Sequence, residues 1–194
     1  MGEWTTLGTL TSNGHEVASH TRYHTKLSDT GALDLQYTGD ASTATMSIAS
    51  NVLTTTLAGD QTDGSVNLSF DLTAASYDTI PELVAAIEAA TSYTCTIEGT
   101  SNGNAQSDWL DDITNQNIKA ASYEAQYDDA LRFVDELDGA KTDIETNITG
   151  YTCKTFSYPY NAETEAVQDA VKASGYLGAR SSGITTATMT LADL

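Results

Sequence analysis

All three histidines of this chain lie in the segment GHEVASHTRYH, at positions 15, 20 and 24. His20 and His24 are four residues apart, so on one helical turn both imidazoles can reach the same cation. A zinc ion held by imidazole nitrogens at about 2.1 Å, with positions left open for water, polarises a carbonyl group and acidifies the attacking water. The spacing is compatible with a divalent metal site that has His20 and His24 as ligands, but it does not establish one. The competing interpretation is a chance pair on a helix surface.

Other polar residues near this pair are weaker candidates. His15 stands at the start of a predicted strand and is expected to be structural. Thr21 either forms a local hydrogen bond that holds the loop or faces the solvent. Asp29 and Asp34 follow so closely in sequence that they make poor substitutes for a third ligand.

The chain is strongly acidic, with 27 acidic and 8 basic residues and a net charge of −19. A surface of this sign repels phosphate groups, which argues against nucleic acid and anionic membranes as partners. The sequence contains no apolar run of about 18 residues, and MGEWTTLGTL lacks the basic and apolar regions of a signal peptide. We therefore expect neither a nucleic-acid nor a membrane partner.

The cysteine count allows at most one disulfide, between Cys95 and Cys153. Each cysteine lies in a strand-like stretch with alternating apolar residues. Buried free thiols are therefore favoured over a disulfide.

The elements around the histidines predict an α/β unit. A helix over residues 4–12 and a strand HEVAS precede His20. A long helix is predicted over SYEAQYDDALRFVDELDGAKTDIETNITG, followed by the strand YTCKTFSYPYN, the helix AETEAVQDAVKASG and the strand YLGARS. Alternation of strands and helices is typical of a parallel α/β arrangement.

The centre of the chain differs in composition, because no lysine, arginine or histidine lies between Leu27 and Ile118. It predicts a hairpin with a turn at Ser50-Asn51 and a strand SVNLSFDL whose Val66, Leu68, Phe70 and Leu72 share a face. A helix capped by Asp78 or Thr79, a strand SYTCTIEG and a short helix from SDWLDDI follow. We infer an inserted α+β module over residues 34–122, between a first part over 1–33 and a second part over 123–194.

Three segments in order resemble the polysaccharide deacetylases, divalent-metal de-N-acetylases of chitin, peptidoglycan and related polymers. Residues 20–24 match the His-Thr-x-x-His metal motif of that family. TFSYPYN is similar to its later Arg-x-Pro-Tyr/Phe-Gly motif, and AVKASGYLGARS is similar to the helix and strand that come next. The central segments TATMSIASNVLTTT and YDTIPELVAAIEAATSYTCTI resemble a small module of tailed-phage and other virion proteins.

This resemblance implies an α/β fold, namely a partial (β/α) barrel-like deacetylase domain interrupted by the small α+β insertion. It implies a divalent metal, with Zn²⁺ as the expected ion, bound by His20 and His24. It also implies an oxyanion donor in the backbone N–H of Tyr160, the residue after the turn proline. It also implies that Tyr158, Pro159 and Tyr160 bind a chitin- or peptidoglycan-like polysaccharide. For the two tyrosines, core packing is an equal alternative.

The sequence also departs from the family pattern. The Asp-Asp pair that supplies the base and the third ligand has no counterpart, no histidine follows His24 to act as the acid, and Ser157 and Asn161 replace the usual arginine and glycine. Whether the chain is an enzyme is therefore left open.

Three interpretations follow from these departures. The chain is a piece of a larger deacetylase whose other segments complete the site, a catalytically inactive carbohydrate-binding or structural component of a virion or cell surface, or an acidic scaffold. The first two predict an extracellular or virion-surface location. Exposed parallel strand edges would also need an oligomer or a partner chain to cover them.

Overall fold

The computed structural model describes residues 3–99 and 103–181. The chain divides into two compact units: the first combines Met1–Ser28 with Ala130–Leu194, and the second is Asp29–Asp129. The sequence predicts these boundaries after residues 33 and 122. The second unit is longer at both ends because Gly31–Tyr37 and Tyr123–Gln126 pair with each other as strands of one sheet. Residues 182–194, the end of the predicted last part, lie outside the described residues.

The elements are named in chain order. The helices are α1 (Trp4–Ser12), α2 (Ile80–Glu88), α3 (Asp129–Phe133), α4 (Ala140–Asn147) and α5 (Glu165–Ala173). The strands are β1 (Gly31–Tyr37), β2 (Thr43–Ala49), β3 (Val52–Ala58), β4 (Ser69–Asp71), β5 (Tyr93–Ile97), β6 (Ile113–Asn117), β7 (Tyr123–Gln126), β8 (Thr155–Ser157) and β9 (Gly178–Arg180). Short 3₁₀ turns cover Ser107–Trp109 and Pro159–Asn161, and a π-helical segment covers Val134–Gly139.

Two antiparallel sheets form the second unit. One has the strand order β5-β1-β7, and the other has the order β4-β3-β2-β6. Alternate burial along β2 and β3 places one side-chain face of that sheet in the core, as a strand period of two requires. Helix α2 contacts β5 and β1.

Local sequence signals account for the hairpin and the helix of this unit. Ser50 and Asn51 both have positive φ, 51° and 60°, which suits the right-handed twist of the strands they join. Thr79 is the N-cap of α2, and its N–H donates to the Glu82 side chain at 3.3 Å. The predicted hairpin turn is confirmed, and Thr79 rather than Asp78 is the cap.

The predicted strand SVNLSFDL is wrong over its first half. Only β4 is a strand, and Val66 is 61% exposed instead of sharing a buried face with Leu68. The Leu57 N–H of β3 donates to the Asn67 side-chain oxygen at 2.8 Å, where a continuous strand would have offered a backbone carbonyl. The side chain of Asn67 thus replaces one backbone acceptor that a longer strand would have offered to β3.

The region around SDWLDDI is also different from the prediction. A single 3₁₀ turn over Ser107–Trp109 replaces the expected helix, and strand β6 follows it. Strand β1, which no sequence argument assigned, is the central strand of its sheet. Its signal was the alternation of Leu33, Leu35 and Tyr37, all fully buried.

The first unit contains one βαβ arrangement. β8 pairs with β9 in parallel, and α5 connects them. Beside β8, the predicted strand HEVAS is reduced to one parallel bridge between Ser19 and Phe156. Helix α1 has the predicted bounds, and the order of strand, helix and strand from residue 155 to 180 is confirmed. The core of this unit consists of Leu27, Leu137, Ile144, Ile148, Cys153, Phe156, Tyr158, Val167, Val171 and Tyr176.

The predicted uninterrupted helix over SYEAQYDDALRFVDELDGAKTDIETNITG is wrong at its start and in its middle. Tyr123–Gln126 is strand β7, paired with β1. The helix then begins at Asp129 and passes through the π-helical segment before α4. That segment buries Glu136 and Leu137 side by side, which a regular surface helix would not do with a glutamate.

The expected (β/α) barrel-like fold is also wrong. The described residues form a mixed α/β fold of small sheets with three, four and two strands. A (β/α) barrel needs eight parallel strands that alternate with helices. The described part of the chain has one parallel strand pair, β8 and β9, and pairs its other strands antiparallel, so its sheets cannot close into such a barrel.

Candidate functional site

The candidate site lies where the parallel segments of the first unit end. Ser19 donates its N–H to the Thr155 carbonyl at 2.9 Å and accepts the Ser157 N–H at 2.8 Å, so His20 directly follows a strand-like bridge to β8. Tyr160 comes three residues after the end of β8. Parallel strands end at the same edge of a sheet, which is where α/β proteins carry their functional groups. The pairing therefore brings residues 20–24 and 157–160 together.

His20 is oriented by a hydrogen bond to the backbone. Its Nδ1 lies 2.7 Å from the Ser157 carbonyl oxygen. Because a carbonyl oxygen only accepts, Nδ1 carries the proton and Nε2 holds the free lone pair of the neutral ring. Metal-bound histidines commonly use this arrangement, with a carbonyl fixing the tautomer of the ligand.

His24 completes the pair. Its ring centre lies 4.8 Å from that of His20 in an edge-on arrangement, and 5.0 Å from the ring centre of Tyr160. Two imidazoles that share one tetrahedral cation at about 2.1 Å have ring centres about 5 Å apart. The spacing of the two rings therefore fits a shared cation.

The loop that carries His24 is held in an uncommon backbone conformation. Thr21 and His24 both have φ 61°, in the left-handed region that non-glycine residues rarely adopt. The His24 N–H donates to the Thr21 side-chain oxygen at 3.0 Å, so the local hydrogen bond considered for Thr21 is present. Tyr160 and Asn161, across the site, also have positive φ, 55° and 56°. Such strain persists only where the surroundings fix it, and it concentrates at functional sites.

Glu136 fixes this loop from beneath. Its carboxylate accepts the backbone N–H groups of Arg22 at 2.6 Å, Tyr23 at 2.8 Å and Thr25 at 3.2 Å, together with the Thr25 hydroxyl. The side chain is fully buried. Sequence reasoning missed Glu136, although its position is on the buried side of the helix next to Leu137. It is the residue that shapes the turn between the two histidines.

Arg22 is fixed as well. Its guanidinium lies 2.6 Å from Asp135 and 3.0 Å from Asp143. The hydrogen bond to Asp135 raises the pKa of Arg22 above its ordinary value. Because the guanidinium has two carboxylate partners, the orientation of the Arg22 side chain is fixed.

The predicted polysaccharide-binding residues divide between the core and the surface. Tyr158 is buried, with its ring centre 5.2 Å from that of Phe156, and burial raises the pKa of Tyr158 to about 12. Pro159 is buried too. Tyr160 is 52% exposed and stands edge-on to His24. Of these three residues, Tyr160 offers an aromatic surface beside the histidine pair.

The described residues do not complete a metal site around the histidine pair. Within residues 3–99 and 103–181, no group of three or more histidine, cysteine, aspartate or glutamate side chains is arranged to hold a metal ion. Asp29 and Asp34, the nearest carboxylates in the sequence after the pair, belong to the second unit. The two histidines thus fit two positions of a metal site, and water or another group would have to fill the others.

The remaining histidine lies at the end of α1. The His15 N–H donates to the Leu10 carbonyl at 3.0 Å and so takes part in ending that helix. Its side chain is exposed.

Both cysteines are free and buried, as expected. Burial raises the pKa of Cys95 to about 12 and raises the pKa of Cys153 as well.

Because the thiolate is the reactive form, we expect neither thiol of the folded protein to react with iodoacetamide at about pH 8.5. Mass spectrometry should show two adducts only after denaturation. Rapid alkylation of the native protein would contradict this burial.

No protein-family model matches the chain, and no curated protein matches it significantly. The resemblance to polysaccharide deacetylases therefore stays a prediction from the sequence segments that carry it. In the described part of the chain, no helix has the length and apolar character needed to cross a membrane.

Proposed function

We propose that this chain binds N-acetylated cell-surface polysaccharide, of the chitin or peptidoglycan type, at His20, His24 and Tyr160. The two histidines would hold a divalent metal, with Zn²⁺ as the expected ion. The observation that carries the proposal is the convergence of these three rings, with His24 at 4.8 Å from His20 and 5.0 Å from Tyr160. They come from segments more than a hundred residues apart in sequence. The proposal also places the chain where such polymers occur, outside a cell or on a virion surface.

The chemistry of the site suits an N-acetylated sugar. A cation with open coordination positions attracts the carbonyl oxygen of an acetamide. Tyr160 is 52% exposed, and its ring provides an apolar surface for a sugar ring. The Tyr160 N–H, in the backbone turn after Pro159, is the proposed donor to the same oxygen.

Metal-assisted deacetylation is the second candidate function. The orientation of His20 favours it, because the 2.7 Å hydrogen bond to Ser157 leaves Nε2 for a metal. Amide hydrolysis also needs a base for the proton of the attacking water. The described residues place no carboxylate group with the pair to form a metal-binding set. We therefore propose binding as the function of these residues, and hydrolysis only with carboxylates supplied from elsewhere.

The test is calorimetric titration of chitotetraose into the metal-free and the zinc-loaded chain. We expect binding that strengthens with zinc, and about tenfold weaker binding by Tyr160→Ala because one aromatic surface for the sugar is lost. Leu177→Ala is the matched control, since Leu177 in the same unit is also 52% exposed. We expect no acetate release. Absence of chitotetraose binding with and without zinc would overturn the proposal.

A further inference from the structure

A cavity of about 290 Å³ borders the candidate site in the first unit. His20 and Thr21 form part of its wall, and Trp4 of α1 forms another part. Trp4 is 40% exposed, whereas the other tryptophan, Trp109, is 3% exposed. The cavity thus has an accessible indole and His20, one residue of the histidine pair, in its wall.

The walls of this cavity differ in chemistry. Arg22 and Asp143 contribute a polar wall, and their side chains lie 3.0 Å apart. Because Arg22 also contacts Asp135 at 2.6 Å, the polar edge is held in place. The rest of the lining is largely apolar: Leu7, Val17, Ala18, Ala140 and Ile144.

We infer that this cavity is a subsite for one hexopyranose unit of the polysaccharide, next to the unit held at His20 and Tyr160. This inference rests on the proposed function. A pyranose ring has an apolar face of C–H groups and a rim of hydroxyls that both donate and accept hydrogen bonds. Trp4 and the aliphatic wall suit the face, while the Arg22 donors and the Asp143 acceptor suit the rim.

Charge and size favour a neutral sugar over other ligands. The polar wall pairs a guanidinium with a carboxylate, so it offers neither the cationic surface that a phosphate needs nor the anionic surface that a cation needs. A volume of about 290 Å³, with His20 in its wall, holds one sugar ring and is too small for a whole oligomer. An extended polymer that runs past His20 would place its neighbouring unit here.

The experiment titrates chitotetraose into the zinc-loaded full chain and follows tryptophan emission and heat. We expect a change of emission that persists in Trp109→Phe and disappears in Trp4→Phe, since Trp109 is buried. Trp4→Ala should bind chitotetraose about tenfold more weakly. Leu10→Ala is the matched control: Leu10 lies on the same helix with the same 40% exposure, outside the cavity lining.

Further measurements keep the subsite and the proposed function separable. Circular dichroism should show a folded Trp4→Ala chain, its zinc affinity should equal that of wild type, and Trp4→Tyr should recover most of the sugar affinity. If Trp4→Ala binds as tightly as wild type while Tyr160→Ala is weakened, the subsite is wrong and the proposed function stands. If wild type binds no chitotetraose, both are overturned.

Discussion

Replacing Glu136 with alanine is expected to lower the free energy of unfolding by about 3–5 kcal/mol. The carboxylate is fully buried and accepts three backbone N–H groups, from Arg22, Tyr23 and Thr25. Hydrogen bonds to a charged acceptor are stronger than neutral ones, and their loss removes the acceptor of the buried Thr25 N–H and of two part-buried N–H groups. Alanine also leaves a cavity at that point. Urea unfolding followed by circular dichroism measures the change.

Two further variants make this prediction specific. Asp138→Ala is the matched control, because Asp138 is an acidic residue of the same π-helical segment whose side chain is exposed; we expect a change within about 0.5 kcal/mol. Glu136→Gln should be intermediate, since the amide keeps one acceptor oxygen but turns an NH₂ group toward the backbone donors. A loss below about 1 kcal/mol for Glu136→Ala would contradict the role assigned to this residue.

Glu136 is a positioning residue for the candidate site, because it acts through the loop that carries His24. That loop has φ 61° at Thr21 and at His24, a conformation that costs on the order of 1 kcal/mol per residue and persists only where surrounding contacts hold it. Release of the loop would separate the two imidazoles without removing either. The Glu136→Gln variant, which should remain folded, is therefore expected to lose zinc affinity as well as stability.

The parts of the fold that the sequence predicts correctly depend on local signals. Ser50-Asn51 has the turn chemistry of a tight hairpin, and Thr79, Pro81 and Glu82 form a helix start that needs no partner elsewhere in the chain. Helix α5, between β8 and β9, is likewise predicted from its own local sequence. Each of these elements can be derived from a window of a few residues.

The errors concern residues whose state depends on distant partners. Tyr123–Gln126 has a sequence pattern compatible with a helix, but it forms a strand because it pairs with β1. Asn67 replaces a strand hydrogen bond through its side chain, which period-two alternation cannot foresee. The barrel predicted for the flanking parts failed because their described residues form one parallel strand pair, β8 and β9, and one parallel bridge, while Tyr123–Gln126 pairs antiparallel with β1.

The candidate site depends partly on local sequence signals and partly on contacts between distant residues. The spacing of His20 and His24 and the turn at Pro159 were visible in the sequence, and the bridge from Ser19 to Phe156 was not. Glu136 carried a weak signal, because it lies on the same side of the helix as Leu137 and Ala140, both buried. A charged residue at a position that should be apolar indicates a buried acceptor only once the donors of residues 22–25 are known.

The His20→Ala, His24→Ala double variant is expected to bind zinc at least about 100-fold more weakly than wild type. The two imidazoles are the ligands proposed for the ion, and the described residues offer no third ligand group with them. Removing both should therefore leave only weak, nonspecific carboxylate binding on this acidic chain. Competition with a zinc-sensitive dye measures the affinity at fixed ionic strength, which keeps the contribution of the −19 net charge constant.

The single His15→Ala variant separates site binding from general zinc attraction. His15 is an exposed histidine in the same segment as the pair, and its replacement leaves the formal net charge of the chain unchanged. Its backbone N–H, which helps to end α1, is kept in the alanine variant. We expect it to keep wild-type zinc affinity. Equal affinity of wild type and the double variant would show that the 4.8 Å approach of the two rings is a packing contact between imidazoles instead of a metal pair. In that case zinc should also have no effect on chitotetraose binding, and Tyr160 would be left as the main contact of a metal-independent sugar site.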